Sequence, residues 1–556
     1  MKVTAMRRLG VNLMNQFRSW QTDVKPTLAQ WVAMAAVVVA SVHLGYAQSV
    51  LTYHANNART GEYSQETILT PANVNKATFG KLFVIPVDGK VDAQPLIVLH
   101  LAIPGRGAHN VLFIATENDS VYAFDADTGI TLWHVRLLKR EETPSDPRRC
   151  SQVIPQIGIT STPVIDPESG PNGTIYVVAM SKGAGHYFQR LHALDLTTGQ
   201  EEFGGPVEIT GEFEGTGAGS KDGEQTFDPK QYEERAGLLL MNHVIYLAWA
   251  SHCDIDPYTG WVMGYSEHSL RQTSALDFTP NGSEGSVWQS GAGMAADNEG
   301  NIYFLAANGT FDTKLNAKEF PSLGDYGNAF MKLSAASGLL RVADYFAMFN
   351  VVHENDTDED LGSGGALVLP DMKDGNEHIW HLAVGAGKDR NIYLVNCDKM
   401  GKFNPRTNDS IYQELPRALG GEEFGMPAYF NGKLYYGAVN DRLRAFEFRG
   451  AKLLPEPVSE TVTKFVYPGT TPAISSNGTR NAIVWAIENG DPAVLHAYDA
   501  NNLAHELYNS NQAGERDHFG VGNKFITPVI ANGKVYVGTT DGVGVFGLLL
   551  PGQKSR

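Results

Sequence analysis

Asn110-Val111-Leu112-Phe113-Ile114-Ala115-Thr116, then Ser120-Val121-Tyr122-Ala123-Phe124-Asp125, then Thr128-Gly129 and Trp133, form the stretch on which the fold turns. Both runs are short and rich in β-branched and aromatic residues. Polar turn residues separate them, which is the pattern of strands joined by tight turns. Upstream, Gln94-Pro95-Leu96-Ile97 opens the same unit with a further short strand. The unit returns as Thr162-Pro163-Val164-Ile165, Gly173 to Val178, Leu191-His192-Ala193-Leu194-Asp195 and Thr198-Gly199. Its last copy runs Thr527-Pro528-Val529-Ile530, Asn532 to Gly538, and Val543 to Phe546. Weaker copies centre on Tyr246, Tyr303, Tyr393, Tyr435 and Trp485, which with Phe113, Tyr176 and Tyr536 makes eight anchors.

One such sheet cannot bury both of its faces alone. Stacked radially, each sheet covers the next and the ring leaves only short edges. The repeat therefore predicts an all-β chain, an eight-bladed β-propeller of four-stranded antiparallel blades spanning residues 48–556. An array of β-sandwiches is the rival architecture, and the closeness of the copies argues against it. Lys81–Val87 precedes the first copy and has strand pattern, so it is expected to pair with the last blade and close the ring. The long interval between Tyr303 and Tyr393 contains Phe330-Met331-Lys332-Leu333 and Gly364-Gly365-Ala366-Leu367-Val368. These fit the end of blade four and the start of blade five, so no ninth blade is added.

Composition agrees. The 556 residues are 42% hydrophobic and 19% charged, with 58 glycines, as expected of a turn-rich globular protein. A formal charge of −17 without any basic run excludes a nucleic-acid-binding surface. Residues 1–47 differ from the rest. Lys2, Arg7, Arg8, Arg18 and Lys25 precede an apolar stretch from Trp31 to Leu44. Gly45 and Ala47 then place small residues at −3 and −1 of a cut before Gln48. This reads as an export signal, with an uncleaved N-terminal anchor as the alternative and the only route to a membrane. The expected location is extracytoplasmic, periplasmic or secreted.

The repeat ending Ala-x-Asp-x-x-Thr-Gly-x-x-x-Trp, at Ala123–Trp133, resembles that of the quinoprotein alcohol dehydrogenases. The entry segment Thr52-Tyr53-His54, Asn57, Thr60, Leu69-Thr70 and Asn73-Val74 resembles their N-terminal stretch. That family implies an eight-bladed propeller holding pyrroloquinoline quinone (PQQ) and calcium near its axis. It also implies site residues here. In Ser251-His252-Cys253-Asp254, Asp254 matches a calcium-binding acid. In Asn308-Gly309-Thr310-Phe311, Asn308 matches an asparagine whose carbonyl binds calcium. The stretch His353, Asp358, Glu359, Asp360 resembles the one bearing the catalytic aspartate, and the choice between Asp358 and Asp360 stays open, with Asp358 also a metal candidate. Lys388, in Gly387-Lys388-Asp389-Arg390-Asn391, matches the cation at the quinone carbonyl, with both a catalytic and a cofactor-binding role. The types suit the chemistry, since calcium takes oxygen ligands and an ammonium stabilises developing negative charge.

The chain also departs from the family. Its adjacent cysteine pair is replaced by the single Cys150, so the resemblance implies a bridge from Cys150 to Cys253, beside the inferred calcium acid. Three cysteines allow at most one such bridge. Ile157 stands where an arginine is common. Trp288 lies upstream of the usual floor tryptophan, with Gly291 to Gly293 in its place, and is the candidate for stacking. No Cys-x-x-Cys-His is present, so electrons would go to a separate acceptor. The expected function is an exported dehydrogenase acting on a small-molecule alcohol or sugar. The alternatives are a cofactor-free propeller binding an envelope protein partner, and a lyase or hydrolase using the same axial pocket.

Overall fold

The structure, a computed structural model, describes residues 48–335 and 339–550. The leader read over residues 1–47 lies outside them. No helix among the described residues is long and apolar enough to cross a membrane.

Eight mainly antiparallel sheets follow one another along the chain. Blade one is Leu96–Ile103, Gly107–Ala115, Ser120–Asp125 and Thr131–Arg136. Blade three is Leu239–Met241, Val244–Ala248, Trp261–Ser266 and Gln272–Asp277. Blade eight takes Val529–Ala531, Lys534–Gly538 and Gly542–Leu548 from one end of the chain and Phe79–Pro86 from the other. The last two pair antiparallel, from Phe79↔Leu548 to Pro86↔Gly542, so the expected closing strand does close the ring.

The repeat motif works as a joint between blades. Oδ1 of Asp125 accepts from the Thr128 amide at 2.8 Å and the Thr128 hydroxyl at 2.7 Å, folding the turn after the third strand. Asp195 holds the same turn in blade two, accepting from the Thr198 amide at 2.9 Å. Trp133 leaves blade one and donates its indole N–H to the Leu196 carbonyl of blade two at 2.9 Å. Its ring lies over Gly199, where a Cβ would fall 2.7 Å from a ring carbon; the φ of +70° there excludes other residues a second time. Gly129 of blade one takes Phe83 of the closing strand in the same way, a Cβ there falling 3.1 Å away. An aromatic from one blade thus seats on the glycine of the next.

Seven of the eight anchors lie on the second strand of their blades. Tyr393 does not: it lies in Ile392–Asn396, the third strand of blade five, whose second strand is Leu382–Ala386. Both strands are short, apolar and buried, so periodicity alone cannot tell them apart, and the misplaced anchor explains the irregular interval.

The entry segment fills the channel. Going round, Val50 bonds Ile97 of blade one and Leu51 bonds Ile165 of blade two. Asn57 reaches Leu240 of blade three and Ala296 of blade four. Ala58, Thr60 and Gly61 then receive the amides of Val368, Tyr429 and Ile474 in blades five to seven. Glu66 completes the circuit by accepting from the Gly533 amide of blade eight. Arg59 is fully buried here and donates to the carbonyls of Tyr53, Met294 and Leu238. The opposite end of the channel is left open. It is framed by the connections between second and third strands and by the segments leading into first strands.

Candidate functional site

That open end is a cavity of about 450 Å³, in the range that takes small molecules. Cys150, Cys253, Asp254 and Trp288 line it, as do Asn308, Asp358, Asp360 and Lys388. Every site residue expected from the sequence therefore faces one space.

The wall from blades three to five is built of oxygens and one ammonium. Asp254 sits in the connection between the second and third strands of blade three. Oδ1 of Asp254 accepts from Ser251 at 2.7 Å and Tyr258 at 3.1 Å. Asn308 follows the second strand of blade four and donates its amide to Asp358 at 2.7 Å. That bond orients the side chain, and its Oδ1 is buried with no hydrogen-bond partner. Gly309 is needed beside it, since a Cβ there would fall 2.3 Å from the Gly285 nitrogen.

Asp358 and Asp360 lie just past the end of a helix, Val351–Thr357. Asp358 caps that helix with φ +59°, and its side chain is 72% exposed. The Asp360 side chain is only 2% exposed. Lys388 Nζ stands 2.5 Å from Asp358 Oδ1 and 2.7 Å from Asp360 Oδ1, while Oδ2 of Asp360 makes no hydrogen bond. Burial lifts the Asp360 carboxyl to about 6; Lys388 opposes the shift, and Asp358 and Asp254 reinforce it. Burial favours the neutral amine of Lys388, yet the two carboxylates hold it above the ordinary lysine range.

A second wall was not foreseen. Arg235, in the segment entering blade three, stands 3.8 Å from Asp92 of blade one. Lys524, entering blade eight, donates to Gln152 at 2.5 Å. Burial lowers the Lys524 ammonium, and Lys90 and Arg235 add to the effect. Glu233 is buried between these groups, and burial lifts its carboxyl to about 7. These residues carry no repeat motif. The only signal was the charged run Glu233-Glu234-Arg235, separated by two residues from the apolar Leu238-Leu239.

The remaining surface is aromatic and sulfur. Trp288 meets Phe424 and Phe525 edge-on, each at 5.7 Å between centroids. Tyr467 joins them at 5.7 Å from Phe424 and 6.5 Å from Phe525. Lys388 Nζ lies 6.0 Å from the Trp288 ring centre. Gly291 stands against Arg235, a Cβ there falling 3.2 Å from the guanidinium carbon. Cys150 and Cys253 form a disulfide with 5.6 Å between Cα atoms, while Cys397 is free and buried. Ile157 packs with Val153 and Met180 in a small core cluster.

The donor set fits a hard cation. Asp254, the unpartnered Asn308 Oδ1 and Asp358 are all oxygen ligands, the kind calcium takes. A flat ring bearing carboxylates also fits, with aromatic and disulfide surface for its faces and Arg235 and Lys524 for its charge.

No family model matches the chain, and no curated protein matches it. Solved structures do. A quinohemoprotein alcohol dehydrogenase from Comamonas testosteroni is 14% identical, with 94% of this chain and 85% of that one covered at a TM-score of 0.59. The quinohemoprotein alcohol dehydrogenase ADHIIG from Pseudomonas putida HK5 is 12% identical, covering 91% and 81% at 0.58. A europium-containing methanol dehydrogenase is 12% identical, covering 90% and 98% at 0.60. The chain thus shares the eight-bladed propeller fold of the quinoprotein alcohol dehydrogenases.

Proposed function

We propose that this cavity binds PQQ together with a hard cation and oxidises a small alcohol or sugar, passing electrons to a separate acceptor outside the cytoplasm. The observation that carries the reading is the convergence of Asp254, Asn308, Asp360 and Lys388, with two buried oxygens left unpartnered. Asp254, Asn308 and Asp358 would hold the cation, which leaves the open oxygen of Asp360 for the proton of the substrate. Calcium is the first choice, and the europium in one structural neighbour makes a trivalent ion the second arm of any test. Arg235, Lys524, Trp288 and the disulfide would hold the quinone. When bound, the pair supplies a two-electron acceptor and a Lewis acid.

The chain's own groups do the rest. Asp360 is the better base of the two aspartates, since it is buried and keeps one oxygen open. It would take the hydroxyl proton of the substrate at that oxygen. Asp358 would position Lys388 and Asn308, both of which it touches. Lys388 would stabilise negative charge that develops beside it. The aromatic cluster of Trp288, Phe424, Tyr467 and Phe525 would keep water from the reacting atoms.

Reconstitution tests the reading. Protein loaded with PQQ and Ca²⁺, or with a trivalent lanthanide, should reduce a dye acceptor when given a primary alcohol or an aldose, and Asp360→Asn should stop it. Absence of turnover and of quinone absorbance on the protein would overturn the reading in favour of a cofactor-free binding propeller.

A further inference from the structure

His243, Glu267 and His268 lie on the face of blade three opposite the cavity. His243 is in the turn between Leu239–Met241 and Val244–Ala248, and Glu267 and His268 are in the turn between Trp261–Ser266 and Gln272–Asp277. Asp254 occupies the connection at the other end of the same strands, so the two groups are separated by the height of the blade. The Glu267 amide donates to the His243 carbonyl at 3.1 Å and fastens the two turns together.

Glu267 is 1% exposed, yet its carboxylate emerges between two exposed imidazoles. His243 Nδ1 is 3.3 Å from Oε2, and His268 Nε2 is 3.4 Å from Oε1. Oε1 is buried and makes no hydrogen bond, a costly condition for a carboxylate oxygen unless positive charge meets it. One ligand atom from each of the three residues lies within 4.8 Å of the others. Atoms each about 2.1 Å from a shared tetrahedral ion stand roughly 3.4 Å apart, so with the three ligand atoms already within 4.8 Å a small side-chain adjustment would bring them onto one ion. His268 has outer support as well. Its Nδ1 is 3.4 Å from the Ser169 hydroxyl, which is itself tied to Tyr176 at 2.8 Å, and this leaves Nε2 toward the carboxylate.

We propose that His243, Glu267 and His268 bind one first-row divalent transition-metal ion of the zinc or copper(II) kind. Two imidazoles and one carboxylate suit such ions and leave room for water or a fourth ligand. The hard cation of the cavity would not compete, since it prefers all-oxygen sites. The rival explanation is a simple ion pair between protonated histidines and Glu267, which would bind no metal.

Calorimetric titration with Zn²⁺ at neutral pH, in buffer containing Ca²⁺ to occupy the cavity, decides between them. Wild-type protein should bind one equivalent saturably. His243→Ala and His268→Ala should each weaken binding at least tenfold, and the double variant should abolish it. Both side chains are exposed, and an unchanged melting curve would show that the double variant is folded. Asp254→Ala should bind Zn²⁺ as wild type does. The proposal is overturned if wild type shows no saturable zinc, if the double variant binds it unchanged, or if Asp254→Ala and not the double variant loses it. Co²⁺ gives a second readout: the visible bands of an imidazole-ligated, low-coordinate ion should be present in wild type and absent from the double variant.

Discussion

The two walls of the cavity were reached by different routes along the chain. The oxygen wall comes from consecutive blades, three to five: Asp254, Asn308 and Lys388 each follow the second strand of a blade, and Asp360 lies in the segment that enters blade five. The cationic wall of Arg235 and Lys524, with Asp92 and Glu233, comes from blades one, three and eight. Those residues sit in irregular segments that meet only because the ring closes. Residues at one position of successive blades can be found along the chain, whereas residues that meet only through ring closure cannot.

The largest expected effect is on the oxygen wall. Asp360→Asn should lower turnover of reconstituted protein by roughly 10²–10⁴-fold with little change in quinone binding, while Asp358→Asn should cost less. Equal losses from both would break the division of roles between the buried and the exposed aspartate. Lys388→Ala should lower turnover by roughly 10²–10³-fold and spare binding, measured by quinone absorbance on the isolated protein. The cationic wall should behave in the opposite sense. Arg235→Met should weaken PQQ binding by about tenfold or more and leave the turnover of saturated enzyme nearly unchanged, since Arg235 faces the ligand's charge rather than the reacting atoms.

The smallest effect is on stability. Burial raises the Glu233 carboxyl to about 7 in the folded state, above its ordinary unfolded value near 4.5. A carboxyl raised in this way contributes stability that is complete below the unfolded value. The contribution is lost as pH rises through the folded one. Glu233→Gln should therefore raise the melting temperature at pH 8 relative to wild type and leave it little changed at pH 4. A larger gain at pH 4 would contradict the assigned direction.

Much of the fold was legible because its repeat has a physical cause. In blades one and two the Asp-x-x-Thr-Gly turn serves blade packing, as Trp133 seated over Gly199 shows. In blade five the second and third strands are both short, apolar and buried, so indexing slipped by one strand and put Tyr393 in the wrong place. The choice between Asp358 and Asp360 was illegible for a similar reason. It depends on a short helix that exposes one and buries the other, and a run of acids gives no sign of which is which. The plugging of the channel by Val50–Glu66 was hidden too, because its bonds are nearly all to backbone carbonyls and amides.

On the proposed function the two walls bind one ligand pair, the cation and the quinone together. The unpartnered oxygens are too few to enclose calcium, which takes 6–8 oxygen ligands, so the quinone must complete the shell. Calorimetric titration of wild-type protein with Ca²⁺, with and without PQQ, measures this directly. The account predicts weak calcium binding alone, markedly tighter binding with PQQ present, and loss of that coupling in Asp254→Ala. PQQ that gives no heat, or calcium affinity that PQQ does not change, would contradict it.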